Sequence, residues 1–178
     1  TSTTKNIIDN SDFDVDELRV LTRNFSPDID ETGKDMNDLV DQLMGYYSEA
    51  SNAPFFLAPV TTSQPGASNK IADILLSHGP EIVIIKKGSL GSLLAYKDKK
   101  INISVVPNTQ VVDPTGAGDS FAGGLLGYVA NNGLTNPEQA VIHGSAIASY
   151  TVSGFGLEKL YSINKNDLQK KIKSIKWS

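Results

Sequence analysis

Two glycines separated by one residue, Gly116 and Gly118, are the feature that most restricts how this chain can fold. They stand directly before an apolar stretch with the composition of a helix, from about residue 120 to 130. Glycine allows a sharp backbone turn that leaves main-chain N–H groups bare. The start of a helix directs its unpaired N–H groups and the positive end of its dipole to the same place. The segment therefore predicts a tight turn that opens a helix, with a site there for an anionic oxygen such as phosphate.

Asp119, which follows Gly118, gives this site a carboxylate. A carboxylate beside bound phosphate repels the ligand, so phosphate binding alone does not explain it. Its presence is explained if it accepts a proton from a hydroxyl that attacks the phosphorus. On the spacing alone, a structural alternative is equally good: the glycines make a tight turn, and Asp119 is a first-turn carboxylate that faces the helix dipole.

Competing nucleotide motifs do not fit the same residues. A Walker A loop ends in Gly-Lys-Ser/Thr, whereas Gly118 is followed by Asp119. A dinucleotide-binding fingerprint that starts at Gly116 needs Gly or Ala at the position of Phe121. The nucleophile elbow Gly-x-Ser-x-Gly is absent from the sequence.

The alternation of helical and strand-like patterns predicts an α/β fold, with glycine turns at strand ends. The predicted strands are Phe55–Val60, Ile82–Lys86, Leu93–Tyr96 and Ile101–Val106, the last two forming a hairpin around Asp98. The predicted helices are Met36–Tyr47, a helix capped by Ser68 and ended by Gly79, residues 120–130, Pro137–Thr151 and Lys165–Ile175.

Charge is distributed unevenly along the chain. Residues 1–60 carry twelve of the 20 acidic side chains and four of the 16 basic ones. This change predicts an acidic N-terminal segment of uncertain fold at residues 1–62 and a second portion at 63–178. Neither portion has the clustered basic and aromatic residues typical of nucleic-acid binding, and no apolar run reaches the roughly 18 residues of a membrane helix. The absence of cysteine excludes disulfides and thiolate metal sites, no other metal-ligand pattern is found, and a cytoplasmic location is expected.

The run from Asp113 to Gly124 (DPTGAGDSFAGG) resembles the C-terminal signature of the PfkB, or ribokinase-like, carbohydrate kinases. Two flanking segments agree in order and spacing. Ile84–Leu94 is similar to the strand and glycine turn before the nucleotide site, and Gly144–Leu160 to the helix and loop that follow it in a bacterial sugar-kinase branch. The resemblance covers about residues 66–178. It implies the C-terminal part of a three-layer, ribokinase-like α/β sandwich.

The resemblance also implies roles for individual residues. Asp119 matches the catalytic base, and Gly116, Ala117 and Gly118 match the backbone anion hole for the γ-phosphate. Positions that line the nucleotide in the family are matched by Lys87, Gly88, Ser89 and Gly91 and, near the adenine, by Gly144, Ser145 and Ala148. A monovalent cation is expected at Asp113, Thr115 and the 153–156 loop.

Two of these assignments have equally good alternatives. Helix packing by small residues explains Gly144–Ala148 as well as nucleotide contact does. Lys86 and Lys87 fit equally well as solvated charges at a strand end.

The function implied is ATP- and Mg²⁺-dependent phosphorylation of a hydroxyl on a sugar or related small alcohol. A homo-oligomer is expected because an incomplete fold leaves a sheet edge unpaired and apolar surface bare. Family members are longer, and their sugar-binding residues and lid lie in an N-terminal part that residues 1–60 do not resemble. No Asn-x-x-Glu motif is found, since Glu49 and Glu81 stand in other contexts. The chain is therefore expected to be incomplete. The alternatives are a catalytically incompetent nucleotide-binding or regulatory remnant, and a nucleoside kinase of the same superfamily.

Overall fold

The computed structural model describes residues 55–59 and 66–178. The acidic segment and the helix predicted at Met36–Tyr47 lie outside the described residues. The strands are β1 (Phe55–Pro59), β2 (Ile82–Lys86), β3 (Ser92–Tyr96) and β4 (Lys99–Ile103). The helices are α1 (Ala67–Ser77), α2 (Ala117–Asn132), α3 (Pro137–Thr151), α4 (Glu158–Tyr161) and α5 (Lys165–Ser174).

The four strands form one sheet in the order β1-β2-β3-β4. β1 and β2 are parallel and α1 follows β1 in the crossover between them, as parallel neighbours require. β2, β3 and β4 are antiparallel neighbours. Beyond β4, the backbone N–H of Asn102 donates to the carbonyl of Ser178 (2.9 Å), and the N–H of Ser178 donates back to Asn102 (3.1 Å). The end of the chain therefore pairs with the outer edge of β4.

Helices cover both faces of this sheet. Ile84 of β2 belongs to one buried core with Leu125 of α2 and Val141 of α3. Val83 and Ile85, which point to the opposite face, are also fully buried, and α1 packs against β2 and β3 there. The result is a three-layer α/β/α arrangement, which confirms the predicted fold class.

α2 and α3 are antiparallel neighbours that pack closely. Asn136 caps α3 by accepting the N–H of Gln139 (3.1 Å), and Pro137 occupies the first turn, where a missing N–H costs nothing. A Cβ on Gly144 would lie 2.7 Å from the carbonyl oxygen of Phe121, so only glycine allows this approach. The packing brings the start of α2 and the end of α3 to the same place.

The predicted strands and helices within the described part of the chain are present, with shifted ends. α1 begins at Ala67 after a left-handed Gly66 (φ 79°), so Ser68 is not its cap. β4 begins at Lys99 and ends at Ile103, earlier than predicted, because the hairpin turns over Lys97 and Asp98, with Lys97 at φ 51°. α2 begins three residues earlier than predicted because Gly116 is its N-cap.

Candidate functional site

The first turn of α2 presents free backbone donors. Gly116 is its left-handed N-cap (φ 77°), and Ala117, Gly118 and Asp119 are the first three helical residues. The N–H of Ala117 donates to the carbonyl of Pro114 (3.1 Å). The N–H groups of Gly118 and Asp119 have no acceptor among the described residues. Two donors and the positive end of the helix dipole therefore remain available to an anion beside the Asp119 carboxylate.

This geometry changes the roles expected of the two glycines. Both were expected to shape the turn, but only Gly116 has a positive φ, whereas Gly118 is an ordinary helical residue. Ala117 was expected to supply a bare N–H, but its N–H closes the turn onto Pro114. Among the described residues, the N–H groups of this turn that have no acceptor are those of Gly118 and Asp119. Anion binding by Gly116, Ala117 and Gly118 stays a prediction.

The loop before α2 is fastened to the end of α3. The carbonyl of Val152 accepts the N–H groups of Val112 (2.7 Å) and Asp113 (3.3 Å). The Asp113 carboxylate accepts the N–H of Thr115 (2.9 Å), and its hydrogen bonds from Thr115 lower the pKa of Asp113. Asp113 thus lies beside the start of the 153–156 loop, with which it is predicted to bind a monovalent cation. Cation binding there stays a prediction.

Thr151 is a residue of this region that the sequence analysis missed. It is buried at the end of α3, and its hydroxyl donates to the Ser120 hydroxyl of α2 (2.7 Å). A Cβ on Gly116 would lie 3.6 Å from the Thr151 methyl group. Thr151 therefore supports the turn that carries Asp119, and no local motif identifies it.

Lys86, at the end of β2, brings a cation to the same region. It points to the face of Ile84 and thus toward α2 and α3. Burial lowers the pKa of Lys86, and the nearby charge of Asp119 raises it in part. Opposite Lys86 in the register stands Ser92, which is 1% exposed and whose hydroxyl has no hydrogen-bond partner among the described residues.

The glycine turn after β2 divides into packed and exposed residues. The Lys87 ammonium donates to the side-chain carbonyl of Asn102 (2.7 Å). Gly91 (φ 85°) packs so tightly that a Cβ would overlap the carbonyl of Ile103. Gly88 and Ser89 are exposed, and the space beside Gly88 is open. Lys87 and Gly91 thus have structural contacts, and Gly88 and Ser89 are exposed. A nucleotide contact by Lys87, Gly88, Ser89 or Gly91 stays a prediction.

Packing also accounts for part of the predicted adenine site. Gly144 is held against Phe121, and Ser145 is buried in α3. Ala148 is partly buried against the core. A nucleotide contact by Gly144, Ser145 or Ala148 stays a prediction.

A model of the pfkB family carbohydrate kinases matches residues 22–162. The chain belongs to this family. The match begins at residue 22, inside the acidic segment. Similarity to the family therefore extends further toward the N-terminus than the range of residues 66–178 inferred from the sequence motifs. The boundary predicted at residues 62 and 63 is not tested by this match.

The relatives of this pfkB-family chain include sugar and nucleoside kinases. A 5-dehydro-2-deoxygluconokinase of Photobacterium profundum is 37% identical over 116 residues, which are 65% of this chain and 33% of that protein. A nucleoside kinase of Methanocaldococcus jannaschii is 42% identical over 79 residues, 44% of this chain and 25% of that protein. The chain thus spans a quarter to a third of the length of these curated relatives.

A solved structure supports the fold assignment. The crystal structure of the Methanocaldococcus jannaschii nucleoside kinase, an archaeal member of the ribokinase family, matches with a TM-score of 0.57 and 22% identity. The match covers 95% of this chain and 51% of that chain. At this identity the likeness shows the ribokinase-like fold. Within the described ranges, no helix has the length and apolar character needed to cross a membrane.

Proposed function

We propose that this chain acts as an ATP-dependent phosphotransferase on the hydroxyl of a sugar or related small alcohol. The observation that supports this most is the first turn of α2, where the Asp119 carboxylate lies beside the free N–H groups of Gly118 and Asp119. A carboxylate next to an anion site repels bound phosphate, but it can accept a proton during phosphoryl transfer. The arrangement therefore suits phosphoryl transfer better than simple phosphate binding.

Each group has a distinct part in this reaction. The N–H groups and the helix dipole stabilise the negative charge of the phosphoryl group in transfer. Asp119 accepts the proton of the substrate hydroxyl while the oxygen of that hydroxyl forms the new bond to the γ-phosphorus. The bond from that phosphorus to the bridging oxygen breaks, and ADP leaves with the bond's electron pair.

The donor set at this site fits magnesium that is carried chiefly by the nucleotide. In residues 55–59 and 66–178, no three His, Cys, Asp or Glu side chains are grouped to hold a metal. Mg²⁺ is commonly bound by one or two carboxylates together with substrate phosphates. Because Asp119 accepts the substrate proton, the phosphate oxygens of the nucleotide would hold Mg²⁺, and bound Mg²⁺ would neutralise part of the phosphate charge.

The first experiment replaces Asp119 by asparagine, which keeps the shape and removes the proton acceptor. Phosphoryl transfer should fall by roughly 10²–10⁴-fold. ATP affinity should hold or improve because a negative charge beside the phosphates is gone. A coupled ADP-release assay over a panel of sugars and nucleosides measures the rate, and calorimetry measures ATP affinity.

Asp98→Asn is the matched control, because Asp98 is exposed in the β3–β4 hairpin. It should leave both quantities unchanged. An Asp119→Asn variant as fast as wild type would overturn the assignment of the base. ATP binding by wild type with no turnover on any substrate would favour the alternative of a nucleotide-binding remnant.

We also propose that copies of this chain associate with one another. Exposed apolar side chains such as Leu90, Phe155 and Tyr161 support self-association of the chain. A nucleotide and a small sugar or alcohol are the proposed ligands, and the cytoplasm is the proposed location.

A further inference from the structure

The direction of the Asp119 carboxylate depends on the backbone that carries it. Asp119 is exposed, and within residues 55–59 and 66–178 its carboxylate has no hydrogen-bond or ion-pair partner. A general base must lie within roughly 2.6–3.2 Å of the atom whose proton it takes, and a misplacement of about 1 Å can lower a rate by roughly 100-fold. The contacts that hold the first turn of α2 therefore bear on the rate of phosphoryl transfer.

Hydrogen bonds within this turn fix its shape but not its place in the molecule. The N–H of Ala117 donates to the carbonyl of Pro114 (3.1 Å). The N–H of Ser120 donates to the carbonyl of Gly116 (2.9 Å). Both bonds join residues three or four positions apart, so the place of the turn must be set by contacts with other elements.

Thr151, at the end of α3, makes such contacts with both ends of the turn. Its hydroxyl donates to the hydroxyl of Ser120 (2.7 Å), the residue after Asp119. Its methyl group lies against Gly116, 3.6 Å from the position that a Cβ would take there. Asp119 lies between these two points of contact along the chain. A displacement of Thr151 would therefore shift the segment that carries the base.

Thr151 is itself firmly held. Its side chain is β-branched, which restricts its rotamers, and it is only 3% exposed. The carbonyl of the next residue, Val152, accepts the N–H groups of Val112 (2.7 Å) and Asp113 (3.3 Å). The end of α3 is thus also attached to the loop before the turn, and it forms a fixed support for the start of α2.

The hydroxyl of Thr151 separates this role from simple packing. Valine has nearly the shape of threonine, so filling the space between α2 and α3 does not require a hydroxyl. A buried hydroxyl needs a hydrogen-bond partner, and Ser120 provides one. The hydroxyl therefore adds a directional link to the residue next to the base, where a methyl group would add contact alone.

We propose that Thr151 is a positioning residue for phosphoryl transfer, whose hydroxyl acts through Ser120 to direct the Asp119 carboxylate toward the substrate hydroxyl. This inference rests on the proposed function. Proton transfer requires the carboxylate within hydrogen-bond reach, whereas the electrostatic attraction of phosphate to the helix start changes gradually with distance. Loss of the Thr151 hydroxyl should therefore lower kcat much more than it lowers ATP affinity.

The test measures kcat and KM by coupled ADP release, on the panel substrate that wild type phosphorylates fastest, and ATP affinity by calorimetry. Thr151→Val removes the hydroxyl and keeps the shape, so kcat should fall by about ten-fold while ATP affinity stays within about two-fold of wild type. Thr151→Ser keeps the hydroxyl and should retain most of kcat. Ser174→Ala is the control, because it removes a part-buried hydroxyl of α5, and it should leave both quantities unchanged.

A second comparison separates positioning from structural damage. In the Asp119→Asn background there is no carboxylate to direct, so adding Thr151→Val should lower the residual rate by less than about two-fold. Circular dichroism and thermal unfolding verify that each variant is folded. Ser120→Ala removes the same hydrogen bond from its other side, and it replaces Thr151→Val if that variant does not fold.

An active wild type with an unchanged kcat in Thr151→Val would overturn this inference and leave the proposed function standing. An equal loss of kcat and ATP affinity would also overturn it, because such a loss indicates a general defect of the site. A full additional loss of rate in the Asp119→Asn background would overturn it as well. Failure of wild type to phosphorylate any substrate of the panel would overturn the proposed function and the inference with it.

Discussion

The left-handed backbone of Gly116 determines where α2 begins and hence where its free N–H groups point. A residue with a Cβ in this conformation is strained by roughly 1–2 kcal/mol, even where space is available. Space is available at Gly116, because a Cβ there would be in ordinary contact with the Thr151 methyl group at 3.6 Å. The requirement for glycine at this position is therefore conformational.

Gly116→Ala should lower the free energy of unfolding by about 1 kcal/mol and weaken ATP binding. The control is Gly118→Ala, because Gly118 has ordinary helical geometry and alanine favours a helix by roughly 0.8–1.0 kcal/mol over glycine. That variant should be as stable as wild type or more stable. Urea unfolding measures both, and an equal loss of stability in the two variants would contradict the role given to Gly116.

At the scale of elements, the close contact between α2 and α3 builds the site. The last turn of α3 has three separate attachments. Thr151 donates to Ser120 of α2, the carbonyl of Val152 fastens the loop before α2, and Ser149 accepts a hydrogen bond from Lys171 of α5. A change in the separation of the two helices would therefore be transmitted to the first turn of α2.

Gly144→Ala tests this packing. Its Cβ would lie 2.7 Å from the backbone carbonyl of Phe121, so α2 and α3 would have to move apart. The free energy of unfolding should fall by about 1–3 kcal/mol, as for other overpacked cores. ATP affinity should fall with it, because Phe121 lies two residues after Asp119.

Gly123→Ala is the matched control on the solvent side of α2, where a Cβ meets nothing within 4 Å. It should raise stability by up to about 1 kcal/mol through helix propensity alone. Urea unfolding measures the free energy of unfolding of the two variants. A Gly144→Ala variant as stable as wild type would show that the helices can separate without cost.

At the scale of the whole molecule, the edges of the sheet bear on the proposed self-association. The outer edge of β4 is covered by residues 176–178, through the paired bonds of Asn102 and Ser178 and the N–H of Ser104, which donates to Lys176 (2.9 Å). An uncovered strand edge exposes backbone groups that can pair with another copy. We therefore expect residues 176–178 to limit pairing of another copy with this edge.

Deleting residues 176–178 should remove these three backbone hydrogen bonds and lower the free energy of unfolding by about 1–3 kcal/mol. The mass measured by light scattering should rise because the β4 edge is exposed. Trp177→Ala keeps the backbone pairing and removes a side chain that is 55% exposed, so its effects should be smaller. A deletion variant with unchanged stability and mass would show that the pairing contributes little.

Sequence by itself determined the local features of this protein. The bounds of β2 and α3 agree with the prediction, because β-branched residues, the Asn136 cap and Pro137 act within a few positions of one another. The same holds for the turn that opens α2 and for the carboxylate of Asp119 in its first turn. These features depend on neighbours along the chain, which a sequence displays directly.

Only the tertiary structure decided which distant residues meet. It paired Thr151 with Ser120, gave Gly144 a packing role against Phe121, and placed Ser92 opposite Lys86. Adjacent lysines that the sequence left equivalent acquired different surroundings, because Lys87 reaches Asn102 whereas Lys86 points toward α2. The physical reason is that register and helix packing set these contacts, and both depend on segments far apart in the chain.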